Sequence, residues 1–105
     1  GGDIEIIVGI NLQKEITGVE ILSIDETVGL GMNAKNEEFR NQYVGKKVDH
    51  FQVVKNGKQN EDEVDSLSGA TITSKAMTNG INGALDFYDL LKGRWKYEEV
   101  FKTFI

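Results

Sequence analysis

The sequence predicts an α+β domain: a small, curved, mostly antiparallel sheet packed by two or three helices, with the long helix beginning at a small-residue loop. Three observations predict it. Apolar residues alternate along the first 24 positions, as half-buried strands require. From Ser74 onward Met77, Ile81, Ala84, Leu85, Tyr88 and Leu91 recur at steps of three and four, the mark of one buried helix face. Between them lies a shorter amphipathic stretch that ends in glycine.

In chain order, Ile4, Ile6, Val8 and Ile10 form the first strand, although Ile7 blurs its alternation. Asn11 to Lys14 reads as a turn. A second strand from Glu15 to Ile24 places Ile16, Val19, Ile21 and Leu22 among polar residues, so the two make an antiparallel hairpin, with Gly18 marking a bulge. Glu26 to Asn33 carries Gly29 and Gly31 around Leu30 and reads as an irregular loop, which any sharp turn between elements would also explain.

Asn36 can cap a short helix with Glu37 and Glu38 in its first turn, Phe39, Tyr43 and Val44 on its apolar side, and Gly45 at its end. A strand from Val48 to Lys55 follows, closed by the turn signal Asn56-Gly57. Glu61, Asp62, Glu63 and Asp65 then cluster; their spacing is not that of a calcium loop, and a solvated acidic face explains them. Within the long helix Gly80 and Gly83 each cost about 1 kcal/mol relative to alanine, which close packing against the sheet would justify. Tyr97, Val100, Phe101, Phe104 and Ile105 again follow helical spacing and predict a terminal helix covering an open part of the sheet. Trp95 reads as packing, and the single histidine, His50, as surface.

At 105 residues the chain is read as one domain, residues 1–105. Its start at Gly1-Gly2 leads almost at once into a strand, which leads us to expect an excised domain whose anchor or export signal lies elsewhere. No apolar run approaches the length of a membrane span. The net charge of −5, from 17 acidic and 12 basic residues, argues against nucleic acid as a partner. With no cysteine there are no thiolate metal sites, and redox chemistry requires a bound cofactor.

The stretch with chemical character is Asp65-Ser66-Leu67-Ser68-Gly69-Ala70-Thr71-Ile72-Thr73-Ser74. Hydroxyl residues ahead of an apolar-periodic run are what helix caps look like, and Thr73 or Ser74 can cap this helix. A helix start also offers unpaired N–H groups and the positive end of the dipole, a physically sound seat for phosphate, and Gly69 and Ala70 would let a ligand approach the backbone. The loop is neither a Walker A loop nor the spaced-glycine dinucleotide fingerprint.

Asp65-x-x-Ser68-Gly69-Ala70-Thr71, followed by Thr73, resembles the flavinylation motif of the FMN-binding domain family, which includes the G subunit of Rnf electron-transport complexes and the C subunit of sodium-pumping NADH:quinone reductases. Upstream, Glu26-Thr27-Val28-Gly29-Leu30-Gly31 resembles that family's Glu-Thr-Pro-Gly-Leu-Gly segment, with Val28 where the family usually has proline. The resemblance spans residues 14 to 91, with Ile16 to Val19 before the first segment and Phe39 to Gly45 after it. It implies flavin-mediated electron transfer, with FMN joined by a phosphoester to Thr71. A separate flavin transferase, using FAD and magnesium and releasing AMP, would attach it, since no general base and metal cradle is evident in this chain.

The resemblance also assigns roles. Ser68, Gly69 and Ala70 shape the loop, with Ser68 donating to phosphate. Thr73 and Ser74 offer hydroxyls and helix-start N–H groups, and Asp65 serves transferase recognition or loop bracing. Glu26, Thr27, Gly29, Leu30 and Gly31 form the opposing wall around the ring or ribityl chain, Leu30 giving an apolar surface. Expected partners are the transferase and other redox-complex subunits or electron carriers, at the extracytoplasmic face of a membrane reached only through a parent protein or anchor. The alternative is a sensory or interaction module that binds FMN or another phospholigand non-covalently.

Overall fold

The computed structural model describes residues 4–24, 34–67, 71–91 and 99–104. Strand β1, Ile4–Ile10, is the centre of a three-stranded antiparallel sheet in the order β2-β1-β5, with β2 at Ile16–Ile24 and β5 at Glu99–Phe104. Helix α1 spans Ala34–Asn41, and α2 spans Thr71–Leu91. Between the helices, β3 (Gln52–Val54) and β4 (Glu63–Asp65) form a short parallel pair.

The β1–β2 hairpin follows the predicted alternation. Ile6 pairs with Ile21, Val8 with Val19 and Ile10 with Ile16, and Ile6, Val8 and Ile10 are completely buried. Ile7 lies on the opposite face, opposite Glu20, and is only partly buried, which accounts for the break in pattern. The register shifts twice, where Thr17 and Leu22 are each an extra residue on β2. The first shift adjoins Gly18, as expected, and such bulges bend and twist the strand that carries them. A Cβ on Gly9 would lie 2.5 Å from Thr17 Oγ1, so a larger residue beside that bulge would force the threonine side chain to shift. The turn is closed by Asn11, whose Oδ1 accepts the N–H groups of Gln13 and Glu15 at 3.0 and 2.9 Å.

The core lies between this sheet and the two helices. On α2 the buried residues are Ser74, Met77, Thr78, Ile81, Ala84, Leu85 and Tyr88, the predicted stripe with two hydroxyls added and with Leu91 only partly buried. Phe39 and Tyr43 of the α1 region pack edge-on at 5.6 Å, and Tyr43 meets Phe51 edge-on at 5.0 Å. Helix α1 ends at Asn41, short of the predicted end at Gly45; Gly45, at φ +81°, closes the turn that follows, and its N–H donates to Ile16 O at 2.8 Å.

Several expectations need correction. The terminal segment is strand β5, not a helix: Val8 pairs with Phe101 and Ile6 with Thr103. Its aromatic and β-branched residues suit a pleated surface, and pairing there covers the edge that β1 would otherwise leave open. The strand expected over 48–55 contracts to Gln52–Val54 because the backbone of Phe51 is taken by a side chain. Its N–H donates to Asn82 Oδ1 at 2.7 Å and its carbonyl accepts from Asn82 Nδ2 at 2.9 Å. Glu63, Val64 and Asp65 of the acidic stretch form β4, a strand not expected there. Helix α1 begins at Ala34, so Asn36 lies inside it, and Val44 is exposed. Gly83 is exposed, with nothing within 4 Å of where a Cβ would stand, so packing does not explain it. His50 is exposed, as predicted, with Nε2 2.6 Å from Asp86 Oδ1. Trp95 lies outside the described residues.

Candidate functional site

Helix α2 begins at Thr71, which places Thr73 and Ser74 in its first turn and not before it. The chain reaches Thr71 from β4 through a segment held at each step. Gln42, in the turn after α1, grips Asp65 by both backbone groups: Asp65 N–H donates to Gln42 Oε1 at 2.8 Å, and Gln42 Nε2 donates to Asp65 O at 3.1 Å. The Ser66 N–H donates to Val54 O at 2.9 Å, extending the parallel ladder by one residue. The Leu67 N–H donates to Ser74 Oγ at 3.0 Å, and Ser74 is fully buried.

A buried hydroxyl chain then ties this helix start to the turn after α1. Thr78 Oγ1 donates to Ser74 O at 2.8 Å, which leaves it to accept the Tyr43 hydroxyl at 2.6 Å. Burial pushes the Tyr43 phenol well above its ordinary range, against the smaller opposing effect of the Thr78 hydrogen bond. Tyr43 therefore stays protonated and is a fixed donor.

Thr71 itself is partly exposed, with Oγ1 3.3 Å from Ser66 Oγ. Beside these residues a cavity of about 380 Å³ is lined by Glu38, Phe39, Gln42, Lys58, Asp65, Ser66 and Leu67. That volume suits a small-molecule site, as does the mixture of an aromatic and an aliphatic wall with a few convergent polar groups. Asp65 Oδ1 is buried and, among the described residues, has no hydrogen-bond partner. An orphaned acceptor at a cavity wall calls for a donor from a ligand or water. Hydroxyls at a helix start beside a cavity of this size fit a small ligand with hydrogen-bonding groups.

A sequence model of the FMN-binding domain family matches residues 1–86. The chain belongs to the FMN-binding domain family. It is similar to the G subunit of the proton-translocating ferredoxin:NAD(+) oxidoreductase complex of Clostridium ljungdahlii, at 42% identity over 82% of this chain and 46% of the relative. The G subunit of the Na(+)-translocating ferredoxin:NAD(+) oxidoreductase complex of Acetobacterium woodii is 36% identical, over 86% of this chain and 44% of the relative. The C subunit of the Na(+)-translocating NADH-quinone reductase of Vibrio parahaemolyticus is 40% identical, over 70% and 30% respectively. The chain thus spans less than half the length of each of these relatives.

FMN is accordingly the cofactor of this FMN-binding domain. Of the residues the sequence nominates, Asp65, Thr71, Thr73 and Ser74 converge at the head of α2. Ser68, Gly69 and Ala70, like Glu26, Thr27, Gly29, Leu30 and Gly31, lie outside the described residues. Sequence reasoning missed Ser66, Gln42, Lys58 and the Tyr43–Thr78 pair. Ser66 lies inside the stretch with chemical character but gains no role from it, and Tyr43 reads only as an apolar-side residue of the short helix. Among the described residues no helix is long and apolar enough to cross a membrane, and no group of three or more acidic, histidine or cysteine side chains could hold a metal ion.

Proposed function

We propose that this FMN-binding domain carries its flavin as a phosphoester on Thr71 and relays electrons within an ion-translocating redox complex. The single observation that carries this reading is the place of Thr71. It is the first residue of α2, its side chain is partly exposed, and it stands beside a cavity of small-molecule size. The start of a helix carries the positive end of its dipole, which favours a phosphate there. Phe39 and Leu67 offer apolar surface to a ring, while Gln42, Lys58 and Asp65 offer polar contacts. Bound FMN supplies reversible electron uptake, and these residues set how it is held and how it is tuned.

Attachment falls to a separate flavin transferase, because a threonine hydroxyl needs activation and, among the described residues, the side chain bonded to it is another hydroxyl. The names of the relatives support other complex subunits as partners. We place the domain at the extracytoplasmic face, where a covalent bond retains a cofactor that cannot be replenished. The test is to denature the purified, flavin-loaded protein and separate small molecules from it. Yellow colour that stays with the polypeptide and maps to the peptide containing Thr71 supports the reading. Release of all FMN makes the domain a non-covalent binding module.

A further inference from the structure

We infer that Asp65 binds the polyol chain of the flavin: its buried Oδ1 accepts a hydrogen bond from a ribityl hydroxyl of FMN lying in the cavity beside Thr71. This rests on that cavity holding FMN, as proposed above, but not on the phosphoester itself.

The observation that carries it is an acceptor with nothing to accept. Asp65 Oδ1 is buried and, among the described residues, no donor reaches it, although Lys58 lines the same cavity. A buried acceptor without a donor costs free energy, and the backbone that carries this one is held at three points. The Asp65 N–H and carbonyl are both bonded to the Gln42 side chain, at 2.8 and 3.1 Å, and the N–H of the next residue to Val54 O at 2.9 Å. An oxygen closed off from solvent is out of reach of a docking enzyme, and one without a partner braces nothing among the described residues. Neither transferase recognition nor loop bracing therefore accounts for this atom. A ligand in the cavity does, because a carboxylate only accepts and here needs a donor from outside the protein.

The place of Asp65 selects that donor. It immediately precedes Ser66, whose Oγ is 3.3 Å from Thr71 Oγ1, and consecutive Cα atoms are about 3.8 Å apart. Asp65 thus stands at the phosphate end of a flavin attached at Thr71, where FMN presents its ribityl hydroxyls. The one N–H of the oxidised ring lies at the far end of the molecule. Asp65 and Glu38 repel a phosphate by charge and Lys58 attracts it, so what Asp65 contributes to binding comes from a hydrogen bond and not from its charge.

The test uses Thr71→Val, which prevents attachment, and titrates it by flavin fluorescence with two ligands: FMN, and a flavin phosphate whose ribityl hydroxyls are replaced by hydrogen. Asp65→Ala and Asp65→Asn are added to that background, and the melting of each flavin-free protein is recorded. The expected result is a Kd for FMN raised about tenfold to a hundredfold in the alanine variant, as for loss of a hydrogen bond to a charged group, with affinity for the hydroxyl-free analogue undiminished. Asparagine, which keeps an acceptor oxygen of the same reach, recovers most of the affinity. Melting of the flavin-free alanine variant stays level or rises, because an unsatisfied acceptor has been removed. An unaltered Kd for FMN in Asp65→Ala overturns the inference. So does an equal loss for both flavins, which would move the donor to the ring, or a fall in melting that accompanies the fall in affinity, which would make Asp65 a structural residue. If Thr71→Val binds neither flavin, the reading of this cavity as the flavin site fails first, and the inference with it.

Discussion

Ser74 Oγ accepts the Leu67 N–H at 3.0 Å, so one buried hydroxyl joins the segment that leaves β4 to the first turn of α2. Ser74→Ala leaves that N–H without its partner. A buried unsatisfied donor costs about 1–3 kcal/mol, and we expect a loss of that size in urea denaturation, with slower flavin transfer because Thr71 is less firmly placed.

Tyr43 predicts a pH effect. Its folded pKa is raised by burial, so the stability it contributes is complete below the unfolded value of about pH 10 and is lost as pH rises beyond it. Tyr43→Phe costs about 1 kcal/mol at neutral pH through the lost bond to Thr78. It should also lose stability less steeply than wild type above about pH 10; equal slopes in the two proteins would contradict the assignment.

The glycines separate by surroundings. Gly83 is exposed inside α2, with open space where a side chain would begin, so Gly83→Ala should stabilise by up to about 1 kcal/mol. Gly9→Ala brings a Cβ to 2.5 Å from Thr17 Oγ1 and should destabilise, by about 1–3 kcal/mol on the scale of overpacked positions. Thermal melting of the two variants in parallel checks both signs.

Gln42 is held to be the clamp on the strand that leads into the site. Gln42→Ala removes two hydrogen bonds to the Asp65 backbone and should cost about 1–3 kcal/mol. It should also weaken retention of FMN in the Thr71→Val background, where binding is non-covalent, as measured by flavin fluorescence titration.

What the sequence showed of this fold depended on period. The hairpin was legible because Ile6, Val8 and Ile10 alternate, and α2 because Met77, Ile81 and Leu85 follow helical steps. Strand β5 was not, because Val100, Phe101 and Phe104 fit either period and only the open edge of β1 decides between them. The extent of β3 and the existence of β4 were obscured for a different reason. Each is three residues long, and their ends are held by side-chain amides, Asn82 on Phe51 and Gln42 on Asp65, which carry no periodic signal. At the site, the Asp65–Thr71 motif marked the loop through its hydroxyl and small residues. Ser66 stayed hidden because its part depends on the return of the chain to Thr71, and Gln42 because it comes from a distant element.

The most direct test of the account is the intact mass of this domain co-expressed with a flavin transferase, set beside Thr71→Val. An increment of FMN less one water on wild type and none on the variant is the predicted result. An unmodified wild type, from cells in which the transferase modifies a control protein, or an increment that persists in Thr71→Val, would contradict it.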